Sequence, residues 1–149
     1  MANFAKGTIK LRGYAENIKS ALKYMLGAVG NITIEEDTDG EIITFTTTDS
    51  YFYINGTKRA FIDNDSLEVH LDDDFLIIEL DNFEQVWRAI PDDYTKISEK
   101  FNVDIKIFTF EMGMQFTQEI EISKGKILKD IVRKYDNYGW EVAFSNLGG

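Results

Sequence analysis

The chain has 149 residues, eleven Phe, seven Tyr and two Trp, no cysteine, and a formal charge of −10. The aromatic content excludes a disordered chain, and the missing cysteine excludes disulfides, thiolate metal sites and a cysteine nucleophile. The opening "MANFAKGTIKLRG" lacks the apolar core of a signal peptide, and no apolar run approaches the roughly 18 residues of a membrane span; a cytoplasmic protein that does not enter membranes is expected.

Phe4 to Arg12 reads as a strand, ended by Gly13. Glu16 to Gly27 reads as a helix, because Ile18, Ala21, Leu22, Met25 and Leu26 fall on one face. The period then changes to two. "NITIEED" and "EIITFTTTD" flank Thr38-Asp39-Gly40, and "YFYI" and "RAFID" flank Asn55-Gly56, both hairpin signals. "SLEVHL" and "FLIIEL" flank Asp72-Asp73-Asp74, which predicts a third hairpin with the acids at its tip.

Phe83, Val86, Trp87, Ile90, Tyr94, Ile97 and Phe101 keep helical spacing, with Asp81 and Glu84 resembling a capping box and Pro91 expected to kink the helix or open a second one. "VDIKIFTF" and "QFTQEIEI" follow as strands around Gly113, then "KILKDIVRKY" and a tail, "DNYGWEVAFSNLGG", whose Gly-rich end is expected to fray. The order of strand, helix, hairpins, helix and strands predicts one α+β domain over residues 1–149. Two main helices would pack on one face of a mostly antiparallel sheet in a ferredoxin-like plan, with an acidic β-hairpin inserted at about 63–81.

Charge singles out that insertion. Residues 1–62 hold seven acids and seven bases, and residues 94–149 hold eight of each; residues 63–93 hold eleven acids and one base, Arg88. Such a field repels phosphate backbones and attracts basic surfaces, so direct nucleic-acid binding is not expected. In a strand, Leu67, Val69 and Leu71 would share one face and Glu68, His70 and Asp72 the other. A solvated face is the plain reading of this row. A partner-binding face made of Glu68, His70, Asp72, Asp73, Asp74, Glu79 and Asp81 is the functional one. A metal site would need carboxylate or carbonyl ligands around the sole histidine, and none is expected.

"DTDGE" at 37–41 has Ile42 and Thr48 where a calcium loop needs Gly and Glu, and reads as a turn. No nucleophile elbow, P-loop or dinucleotide fingerprint is present. No catalytic residue and no cofactor are therefore assigned. Met112 and Met114 are expected to fold back from the Gly113 turn onto the core, with exposure at the tip, where flexible thioethers suit adaptable contacts, as the alternative. Tyr138 and Trp140 are expected to close a small core, with an interface anchor as the alternative.

The segment "MANFAKGTIKLRGYAENIKSALKYML", with Asn3-Phe4, the strand Ile9 to Gly13 and the helix Ile18 to Leu26, resembles the opening of the Api92-like/YubB-like proteins of phages, plasmids and integrated elements. "YTKISEKFNVDIKIFTFEMGMQFTQEIEISKGKI" is similar to their later portion, with Gly113, Phe116 and Gly125 in place. The resemblance implies a ferredoxin-like fold and a mobile-element origin, and carries no catalytic residues. The expected function is a non-enzymatic protein-binding module. It could act as a DNA mimic that inhibits a basic nucleic-acid-handling protein of the host. A carboxylate-dependent hydrolase or metal-assisted nuclease, and a self-assembling structural subunit, are the alternatives.

Overall fold

The computed structural model describes residues 3–57 and 59–148. In chain order the elements are β1 (Phe4–Tyr14), α1 (Ala15–Met25), β2 (Leu26–Gly27), β3 (Ile32–Glu36), β4 (Ile42–Thr47), β5 (Phe52–Ile54), β6 (Ala60–Ile62), β7 (Ser66–His70), β8 (Phe75–Val86), α2 (Asp92–Phe101), β9 (Asp104–Glu111), β10 (Phe116–Ser123), β11 (Lys126–Lys134) and α3 (Tyr138–Glu141). Eight strands form one antiparallel sheet in the order β11-β10-β9-β1-β8-β6-β5-β2, and three form a second, β3-β4-β7.

Strands take 50% of the chain and helices 17%, so the ferredoxin-like expectation fails. Two features of the sequence misdirect it. The helical spacing from Phe83 onward spans two different elements: β8 runs on to Val86, and only Asp92–Phe101 is helical. Gly7 pairs with Phe83 and Ile9 with Leu80, so Thr8 alone opposes Asp81 and Asn82. This is a bulge, which adds one residue to a strand. It lets Leu80 and Phe83 both face the core at a spacing of three, which imitates a helix. Asp81 and Glu84 therefore lie inside β8 and cap nothing; Pro91 is the N-cap of α2.

The second misdirection is the triple Asp. Among the described residues β7 pairs with β4 alone, whereas β8 pairs with β1 and β6. The expected acidic hairpin does not exist. Asp72 to Asp74 instead carry the chain from the small sheet to the large one. The other hairpins stand: β3 pairs with β4, β5 with β6, and β9 with β10.

A single hydrophobic cluster joins the two sheets and both longer helices. It includes Ile18, Leu22 and Met25 of α1, Tyr94 and Ile97 of α2, Ile9 and Leu11 of β1, Ile105 and Ile107 of β9, and Ile43, Phe45, Leu67 and Val69 of the small sheet. Each such side chain stabilises the fold by about 1.5–3 kcal/mol on burial. β1 is its centre, held between β8 and β9 along nearly its whole length. That pairing needs Gly7, since a Cβ there would strike the carbonyl oxygen of Phe108. No helix among the described residues is long and apolar enough to cross a membrane.

Candidate functional site

Because β7 and β8 belong to different sheets, the acids of residues 63–81 do not cover one hairpin. Three of them stand on two lips of a groove, Glu68 on one and Glu79 and Asp81 on the other. Asn64, Ser66 to His70 and Ile77 to Asp81 line a cavity of about 420 Å³. Its floor is Leu67, Val69, Ile78 and Leu80, each under 10% exposed. Its rim carries Glu68 and His70 on one side and Glu79 and Asp81 on the other, all exposed. The expected alternation of β7 is thus correct, although its expected partner strand is not. Glu68 Oε1 lies 3.3 Å from His70 Nε2, with both side chains more than half exposed, so this pair adds little stability.

The eight carboxylates between Asp63 and Asp81 are all exposed. Among the described residues none of them pairs with a Lys or Arg. Asp72, Asp73 and Asp74 sit at the end of β7 and meet acids from elsewhere in the chain. With Glu16 of α1 and Asp39 and Glu41 of the β3–β4 turn they line a second cleft, of about 490 Å³. Nothing local in "DTDGE" marks Asp39 and Glu41 as part of this cleft, because the pattern states only a turn. It is a turn: Asp37 Oδ1 accepts from the N–H groups of Glu41 (2.8 Å) and Ile42 (3.1 Å), and Gly40 has φ +70°.

Lys19 is the cation of this cleft, and it is already engaged. Its Nζ lies 2.9 Å from Glu36 and 3.5 Å from Glu16. The hydrogen bond from Lys19 holds the Glu36 carboxyl below its ordinary value, and the same bond holds the Lys19 amine above its own. No group of three or more His, Asp or Glu among the described residues is arranged to hold a metal ion.

The two aromatic residues proposed in the tail separate. Tyr138 is buried and packs on Tyr135, with ring centroids 5.9 Å apart, whereas Trp140 is 85% exposed. The small-core expectation therefore holds for Tyr138 and fails for Trp140, whose ring stands in solvent. Neither residue lines the acidic grooves. Residues Asn146 to Gly148 lie against Phe108 and Phe110 in a further groove that also includes Asp63, Asp81 and Glu84; Gly149 lies outside the described residues.

Met112 and Met114 are 46% and 65% exposed, so they do not fold back as expected. The buried carboxylate of Glu111 turns this loop outward by accepting from the N–H groups of Gly113 (3.0 Å) and Met114 (2.7 Å). Met114 and Phe116 line an apolar recess with Trp87. Trp87 has φ +72° and is 67% exposed. It follows the end of β8 and lies outside α2, not on the helix that its spacing predicts.

No protein-family model, curated protein or solved structure matches the chain. The functional reading therefore rests on its own residues.

Proposed function

We propose that the chain is a non-enzymatic protein-binding module whose acidic groove face takes a basic surface of another protein. The observation that carries this reading is the row of eight exposed carboxylates from Asp63 to Asp81, without a Lys or Arg partner among the described residues. Repulsion among like charges costs stability when no cation offsets it. A positively charged partner relieves that cost and is steered in by the same field. A basic nucleic-acid-handling protein is the partner class that fits best, with the carboxylates standing where phosphates would. A cytosolic setting suits a chain without cysteine.

The test is capture of partners from cell lysate on tagged protein at low and high salt, with and without competing DNA, beside a variant carrying Glu68→Lys, Glu79→Lys and Asp81→Lys. The expected result is a basic protein that is released by salt, displaced by DNA and absent from the variant. A partner held equally by the variant and at high salt overturns the reading, because exposed charge pairs are screened beyond about 8 Å at physiological ionic strength.

A further inference from the structure

We propose that the gap between β7 and β8 is a slot for one extended basic segment of a partner protein, taken up as an added strand. The inference rests on the protein-binding reading above and gives it a structural mode.

The hydrogen-bond phase of each strand shows what faces the gap. Thr47 donates its N–H to the Asp65 carbonyl and Leu71 donates to the Glu41 carbonyl, at the two ends of the β4–β7 ladder. In an antiparallel ladder, residues that exchange bonds with the partner strand alternate with residues that point away from it. Residues 65, 67, 69 and 71 are thus spent on β4. Ser66, Glu68 and His70 turn their N–H and C=O groups to the other edge. On β8, Ala15 donates to the Asp74 carbonyl at 2.9 Å. That assigns residues 74, 76, 78 and 80 to β1 and turns the backbone groups of Phe75, Ile77 and Glu79 away from it. β6 and its flanking residues Arg59 and Asp63 cover this edge of β8 from Asn82 to Val86.

Among the described residues, two unpaired strand edges therefore line one cavity without bonding to each other. Folded proteins usually cover or blunt such edges. Side chains set the chemistry of what could enter. A strand seated here would send alternate residues down onto Leu67, Val69, Ile78 and Leu80, and the residues between them up among Glu68, Glu79 and Asp81. The occupant is accordingly an extended segment alternating apolar residues with Lys or Arg. A folded second copy does not supply it: the basic strand β11 is already bonded to β10 and has only one open edge, whereas the slot has two.

The experiment uses the full chain and two short synthetic peptides. One alternates Val and Lys; the other replaces each Val by Pro, which keeps the charge and removes backbone donors. Amide hydrogen exchange is followed residue by residue. The expected result is binding of the Val peptide alone, with exchange at Ser66, Glu68, His70, Ile77 and Glu79 slowed about tenfold or more. The Glu68→Lys, Glu79→Lys variant, altered only at exposed side chains, should bind the Val peptide at least about tenfold more weakly. Equal binding of both peptides, or binding without protection at those amides, overturns the slot and leaves the acidic-surface reading standing. No binding of either peptide overturns the slot as well. The broader reading falls with it only if lysate partners are also indifferent to the charge reversal.

Discussion

The Gln118 side chain and the Ala89 backbone bond each other twice. Gln118 Nε2 donates to the Ala89 carbonyl at 3.0 Å, and Ala89 donates its N–H to Gln118 Oε1 at 3.1 Å. Both residues are almost fully buried. The amide thus acts as one extra rung of sheet, tying the segment between β8 and α2 to β10. The same Nε2 also donates to Asp130 Oδ1 at 3.1 Å, which reaches β11.

Removing that clamp leaves a buried donor and acceptor unmatched, at about 1–3 kcal/mol for each group. Gln118→Met keeps the volume and loses the bonds, so it should cost about 2–4 kcal/mol in urea denaturation, nearly as much as Gln118→Ala. A Met variant as stable as the parent would show that the clamp holds nothing.

Two glycines should respond very differently to alanine. At Gly7 the added methyl meets the rigid backbone of Phe108, so β1 and β9 must separate locally, at about 3 kcal/mol. At Gly56 nothing lies within 4 Å, and only the φ of +80° opposes a side chain, a cost of about 1 kcal/mol. Denaturation midpoints of the two variants give the ranking, and a Gly56→Ala protein less stable than Gly7→Ala would contradict it.

How far the sequence reveals this fold depends on whether a pattern is local. α1 was legible because Ile18, Ala21, Leu22 and Met25 are a sufficient signal within eleven residues. The inward faces of β7 and β9 were legible from alternation alone. Which strand lies beside which was not. Alternation states which side chains are buried, and says nothing of the neighbour across the ladder. Asp72 to Asp74 suit a tight turn and a crossing between sheets equally well. The bulge at Asp81 and Asn82 went further, since one inserted residue converts a strand's rhythm into a helix's. The acidic site followed the same division: Glu68, His70 and Asp72 to Asp74 were found from their charge run, while Glu16, Asp39 and Glu41 joined them only through the fold.

Glu36 and Lys19 should make stability depend on pH at both extremes. Lys19 lowers the Glu36 carboxyl from its ordinary 4.5. A lowered carboxyl contributes stability that is full above the unfolded value and lost as pH falls through the folded one. The raised amine of Lys19 contributes below its ordinary 10.5 and loses that contribution as pH rises through the higher folded value. Glu36→Gln should therefore be less stable than the parent at neutral pH, and the gap should close as pH drops below 4.5. Urea midpoints measured across pH test this; a gap that stays constant into acid would remove Glu36 as its source.

The tail aromatics should divide in a mutational series as they do in space. Trp140 is 85% exposed, so Trp140→Ala should shift stability by no more than about 0.5 kcal/mol. Tyr138→Ala empties a buried ring site and should cost about 3–5 kcal/mol. The Tyr138 hydroxyl is buried without a hydrogen-bond partner among the described residues. Tyr138→Phe should accordingly be neutral or slightly stabilising, because it deletes an unmatched polar group. A loss of more than about 1 kcal/mol in the Phe variant would mean that the hydroxyl is bonded after all.

Tyr94 offers the alkaline counterpart. Its ring is fully buried against Phe83, and its hydroxyl donates to Gln85 Oε1 at a long 3.4 Å. Burial first, and then the nearby charge of Asp93, push the phenol far above its ordinary 10.0. Ionisation is thus suppressed in the folded chain and free in the unfolded one. Tyr94 costs no stability below pH 10 and increasingly favours unfolding above it. In an ultraviolet absorbance titration Tyr94 should ionise only as the fold opens. Tyr94→Phe removes this ionisation from the unfolded state, so its alkaline unfolding should begin at a higher pH than that of the parent. The long bond to Gln85 limits what the variant loses in return, to about 1 kcal/mol at neutral pH. An alkaline midpoint that moves down instead would mean that the hydroxyl's bond to Gln85 outweighs the drag of phenol ionisation.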